Sequence, residues 1–118
     1  MKSHKDLEVW KRSVELVKTI YELTKSFPKE ELYGITNQIR RSAVSIPSNI
    51  AEGAARNYNK EFIQFLYIAI GSIAELETQI IFNEKLSFLS KDYSENIQSV
   101  LIELKNMTLG LIKYLKNK

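Results

Sequence analysis

Residues 31–52 read ELYGITNQIRRSAVSIPSNIAE, and this stretch decides the fold. Leu32, Ile35, Ile39, Ala43, Ile46 and Ile50 recur at spacings of three and four, and the series continues to Ala54. At about 100° per residue they occupy one side of a helical wheel. Asn37, Gln38, Arg40, Arg41, Ser45, Ser48, Asn49, Glu52 and Arg56 gather on the other side. Pro47 sits inside the pattern. A helical proline lacks the N–H that would bond four residues back and crowds that carbonyl, here of Ala43, at a cost on the order of 3 kcal/mol. The apolar register runs on past Pro47, so the spacing predicts one helix over 29–56, kinked at Pro47 rather than broken.

Working outward, 6–25 carries two apolar stripes: Leu7, Trp10, Val14, Val17 and Tyr21, and beside them Val9, Leu16, Ile20 and Leu23. Both have helical spacing. Ser26-Phe27-Pro28 ends this helix, and Pro28 with Glu30 and Glu31 suits the start of the next. Asn57-Tyr58-Asn59 reads as a turn with Asn59 as N-cap of a third helix over 60–85. Its main stripe is Phe62, Phe65, Leu66, Ala69, Ile73, Leu76 and Ile80; Ile63, Tyr67, Ile70, Ala74 and Ile81 form a second. Ser90 is the expected N-cap of a fourth helix over 91–115, with Ile97, Leu101, Leu104, Thr108, Leu111 and Leu115 inward and Tyr93, Val100, Met107 and Tyr114 beside them. Four helices, no strands and short links predict an all-α, antiparallel up-down four-helix bundle in one domain, 1–118. Second stripes on several helices fit either a wide core face or an interface with further copies.

Composition narrows the function classes. Of 118 residues, 44% are hydrophobic and 26% charged, an ordinary globular balance. With no cysteine there is no disulfide or zinc–thiolate site, and a cytoplasmic location fits. No uninterrupted apolar run approaches the roughly 20 residues of a membrane span, so no membrane role is expected. The net charge of +3 divides unevenly, with 11 Lys/Arg against 7 Asp/Glu in 1–60 and 6 against 7 in 61–118. The N-terminal half therefore permits an anionic partner without requiring one.

The strings FPKEELYGITNQIRRSAVSIPSNIAEGAAR, KEFIQFL and GSIAELETQI, with DLEVWKRSVELVKTIYELT before them, resemble a known family. These are the four-helix-bundle proteins encoded in intervening sequences of bacterial large-subunit ribosomal RNA genes. The likeness spans about 6–89 and weakens in the last helix. One departure is Gly53-Ala54-Ala55-Arg56, where a Gly-aromatic-Gly-Arg-like string is expected. The resemblance implies an up-down bundle assembling as a homopentameric ring. It also implies kinship to the accessory protein of diversity-generating retroelements, a basic pentamer that binds nucleic acid and a reverse transcriptase. For most members of that family no biochemical activity is established.

The residues themselves argue against catalysis and against a bound cofactor or metal. His4 is the single histidine and lies near the N-terminus, so no Ser-His-Asp or Cys-His array can be built. Glu75 and Glu77 point to different faces of their helix, and no Glu-x-x-His pair is present for a di-iron bundle. Gly34, Gly53, Gly71 and Gly110 match no phosphate-cradling loop. Arg40, Arg41 and Arg56, with Asn37, Gln38, Ser48 and Asn49, are the candidate nucleic-acid-binding residues, because guanidinium forks match phosphate oxygens and the neutral groups can add contacts. Repeated around a ring, weak contacts would add through multivalency. The competing reading makes these arginines ion-pair partners within or between subunits, Glu52 standing four residues before Arg56. Trp10 is expected in the core. The basic run Lys113-Tyr114-Leu115-Lys116-Asn117-Lys118 reads as a solvated helix end. Two functions follow: an oligomer binding structured RNA or DNA, or an adaptor docking another protein without touching nucleic acid.

Overall fold

A computed structural model describes residues 3–118. They form helices α1 (Glu8–Thr24), α2 (Asn37–Ala54), α3 (Asn59–Lys85) and α4 (Lys91–Lys116), with no strand among the described residues. A 3-10 turn, His4–Asp6, precedes α1. The bundle is elongated, 46 × 23 × 19 Å. Helix α2 packs on α1 and α3, and α4 packs on α3 and, less extensively, on α1. Contacts fix how α2 and α3 lie together: Gly53 abuts Phe62 and Phe65 at one end, and Ser42 meets Glu75 towards the other.

Helix α2 is shorter than the predicted 29–56. Lys29–Glu31 forms a 3-10 turn and Leu32–Thr36 a wider π-type turn. Within this second turn the backbone leaves helical geometry at Gly34, with φ −115° and ψ −107°. The α-helix then runs through Pro47 to Ala54, so the departure from helical backbone falls at Gly34. The physical reason lies on both sides. Gly34 has no Cβ to hold it in a helix, while Pro47 is buried beside Ile46 and Ile50, both fully inaccessible. Core packing there opposes the local cost of the proline.

The core consists of Val9, Leu16 and Ile20 from α1; Ile39, Ala43, Ile46 and Ile50 from α2; Phe62, Leu66, Ala69, Ile73, Leu76 and Ile80 from α3; and Ile97, Leu101, Leu104, Ile112 and Leu115 from α4. Of the two stripes on α1, the one through Val9, Leu16 and Ile20 faces inward; Val14 and Tyr21 of the other are exposed. Trp10 is half-buried, with His4 edge-on at 5.1 Å, so His4 is held by a ring contact rather than fraying. Two buried hydroxyls are satisfied by their own helix: Thr24 Oγ1 donates to the Ile20 carbonyl (2.7 Å) and Thr108 Oγ1 to that of Leu104 (2.7 Å).

Caps set the boundaries. Ser90 Oγ accepts from the Tyr93 amide at 3.2 Å, as expected for an N-cap. Asn59 is instead the first residue of α3, whose N-cap is Tyr58 with no side-chain cap bond. Helix α3 is long and apolar enough to cross a membrane by length and composition, with an 18-residue window of mean hydropathy 1.4. Scattered polar residues had hidden this in the sequence. Its inward residues fill the bundle core, while Ile68, Tyr67 and Ile81 are exposed.

Candidate functional site

Successive helical residues point about 100° apart, and this separates the arginine pair. Arg40 turns towards α1. Its Nε donates to Thr24 Oγ1 at 2.8 Å, its Nη2 lies 3.5 Å from the Tyr21 carbonyl, and its guanidinium sits 4.6 Å from the centre of the Tyr21 ring. That is a structural tie between helices. Arg41 turns towards α3. It is exposed and makes no ion pair among the described residues.

Arg41 borders a groove between α2 and α3 that Gln38, Ser42 and Ser45 line from one side and Glu75, Thr78, Gln79 and Phe82 from the other. Ser42 Oγ donates to Glu75 Oε1 across it. Glu75 is exposed rather than partly buried, and its partner is this hydroxyl rather than a salt bridge. Gln79 is 8% exposed, and its Oε1 has no hydrogen-bond partner among the described residues. The groove thus combines one free cation, one carboxylate and several neutral hydrogen-bonding groups.

Arg56 stands sixteen residues beyond Arg40, about 24 Å along a helix. Its Nη2 lies 3.3 Å from Glu52 Oε2, and its guanidinium packs 4.8 Å from the Phe65 ring centre. The i,i+4 pairing weighed from the sequence is therefore present. Asn49 Nδ2 donates to the Ser45 carbonyl at 2.8 Å, so its amide serves the helix. Asn37, Gln38 and Ser48 are exposed. Of the seven candidate residues, Asn37, Gln38, Arg41 and Ser48 offer free surface on α2; Arg40, Asn49 and Arg56 are engaged within the chain.

A second basic region escaped the sequence reading. At the end of the bundle where α2 and α4 finish and α3 begins, Arg56, Tyr58, Asn59, Tyr114 and Lys118 line a common groove with the apolar Leu7, Ala54, Phe62, Leu111 and Leu115. Tyr114, Lys113, Asn117 and Lys118 line a shallower one beside it. Tyr58 is 71% and Tyr114 59% exposed. The tail is a solvated helix end, and helix reversal brings Arg56 and Tyr58 to it. A sequence-level clue was available in the recurrence of tyrosine beside basic residues at two segment ends that a bundle brings together.

An all-α bundle whose polar features are surface grooves defines a helical-bundle scaffold, and the comparisons place it more closely. Residues 5–110 match the 23S rRNA-intervening sequence protein family. The chain belongs to that family. No curated protein matches it. Among solved structures it is similar to a protein of unknown function from the S23 ribosomal protein family of Bacteroides thetaiotaomicron. The TM-score is 0.82 at 25% identity, covering 89% of this chain and 98% of that one.

Proposed function

We propose that this protein is a non-enzymatic, self-assembling helical bundle that binds structured RNA or DNA through the exposed face of α2. The observation that carries the reading is Arg41: exposed, without an ion pair among the described residues, and close in sequence to the exposed neutral donors Asn37 and Gln38. A guanidinium in this state is available for a phosphate. Arg40 positions α2 against α1, and Arg56 contributes at a separate place, so the site is narrower than the full set of arginines. Net charge is only +3, so useful affinity requires repetition of the site in an assembly.

Self-assembly is supported by two apolar strips on opposite sides of the bundle. Val14, Tyr21 and Val44 are exposed on the α1–α2 side; Tyr67, Ile81, Ile102 and Leu109 are exposed on α3 and α4. Two unlike faces suit head-to-tail contacts, which close into rings. A homopentamer, the state implied by the family resemblance, would have a mass five times 13.7 kDa. The same strips favour the second reading, an adaptor whose apolar surface docks a protein partner. A cytoplasmic location is consistent with either.

Fluorescence anisotropy of a structured RNA and a duplex DNA across a salt series tests the first reading, with assembly mass measured in the same buffers. Expected is salt-sensitive binding that weakens in Arg41→Ala with the assembly intact. An intact assembly that binds neither probe at low salt would overturn it and favour the adaptor.

A further inference from the structure

We infer that the helix-end grooves around Tyr114 are a second contact site, one that takes an unpaired, single-stranded segment of nucleic acid. The inference deepens the nucleic-acid reading and rests on it, but it does not depend on Arg41. Single strands are held by cationic groups that follow the phosphates and by aromatic faces on which bases stack. Both occur here together. Tyr58 and Tyr114 expose 71% and 59% of their surface while lining one groove. Arg56 and Lys118 line that same groove, and Lys113 and Lys118 line its neighbour.

Charge distinguishes these grooves from the others described. Neither is lined by an aspartate or glutamate side chain. The α2–α3 groove contains Glu75, and the one between α1 and α4 contains Glu8, Glu15 and Glu103. Of the acids near this end, Glu52 pairs with Arg56, Asp6 accepts from the Ser3 amide at 3.2 Å, and Glu61 in the first turn of α3 lines neither groove. The starts of α1 and α3 and the ends of α2 and α4 meet here, so their dipoles oppose one another and the side chains decide the local potential. Lys118 Nζ lies 5.5 Å from the Tyr114 ring centre. A cation and an exposed ring of one groove thus stand side by side. A duplex would not present its base faces to these rings, so the geometry selects unpaired nucleotides.

The test uses the full chain and two fluorescein-labelled probes, an oligo(A) RNA of about 12 nucleotides and a duplex of equal length, titrated across a salt series. The Tyr58→Ala/Tyr114→Ala variant is expected to bind oligo(A) about tenfold more weakly, with duplex binding unchanged. Tyr58→Phe/Tyr114→Phe, which keeps the ring faces, should bind like the parent. Lys113→Ala/Lys118→Ala should reduce the salt slope by about 0.7 per lysine. Circular dichroism and assembly mass confirm that these surface variants remain folded. Parent-like oligo(A) binding by the double alanine tyrosine variant overturns the inference. So does a lysine effect without a tyrosine effect, which would describe a general anion surface. If Arg41→Ala abolishes binding and the end variants do not, this inference fails while the α2 reading stands. The reverse result leaves the end site standing and removes Arg41. No binding of either probe removes both.

Discussion

Replacing Arg40 with alanine removes a 2.8 Å bond to Thr24 and a cation–π contact with Tyr21. A hydrogen bond of this kind is worth about 1 kcal/mol and a half-exposed cation–π contact about 0.5–1 kcal/mol. Arg40→Ala should therefore lower stability by about 1–2 kcal/mol, and Arg41→Ala by less than about 0.5 kcal/mol. Urea unfolding of the two variants checks this; equal losses would show that Arg41 also has a structural partner. Gly53 presents a second sharp case. A Cβ there would lie 2.6 Å from the Phe65 Cβ and 3.2 Å from the Phe62 carbonyl oxygen. Gly53→Ala must push α2 and α3 apart and should cost about 1–3 kcal/mol, seen as a lower Tm. Residue types alone identified the arginines as candidates. Their separate roles depend on which neighbouring helix each one faces, and that is a property of the packed bundle.

Among the helices, α2 shows best how local and non-local terms compete. The three-and-four spacing of Ile39, Ala43, Ile46 and Ile50 corresponds to an inward face that is essentially inaccessible. The same series read back to Leu32 fails, because Leu32 precedes Gly34 and is 43% exposed. Ile46→Ala should thus cost about 2–5 kcal/mol, and Leu32→Ala less than about 1 kcal/mol, in parallel denaturation experiments. A large loss at Leu32 would mean that the Lys29–Thr36 turns pack as part of the core. Periodicity located the other helices within a residue or two, and Ser90 marked the start of α4 by its own cap chemistry. Buried Asn83 escaped periodicity. It is fully inaccessible, donates to the Gln79 carbonyl through Nδ2 at 2.7 Å, and leaves Oδ1 without a partner among the described residues.

For the whole molecule, the exposed apolar strips make an assembly prediction separable from stability. Ile102 is 55% exposed, so Ile102→Glu should change the stability of an isolated bundle by less than about 0.5 kcal/mol. If its strip is an intersubunit face, burying an unpaired carboxylate there is prohibitive, and the assembly mass should fall. Val14→Glu tests the opposite side in the same way. Light scattering distinguishes the outcomes: an unchanged mass in both variants would remove these strips from the interface.

Helix number, the positions of the last two links, the α2 core register from Ile39 onward and the lack of a disulfide chemistry were all legible in the chain, because each is set by neighbours within a few residues. The tertiary structure alone decided which α1 stripe faces inward, that the helical break lies at Gly34, that Arg40 is tied while Arg41 is free, and that Arg56, Tyr58 and Tyr114 share a groove. These depend on contacts between residues far apart in sequence. Periodicity orients a side chain about its own helix axis, but only packing determines what stands opposite.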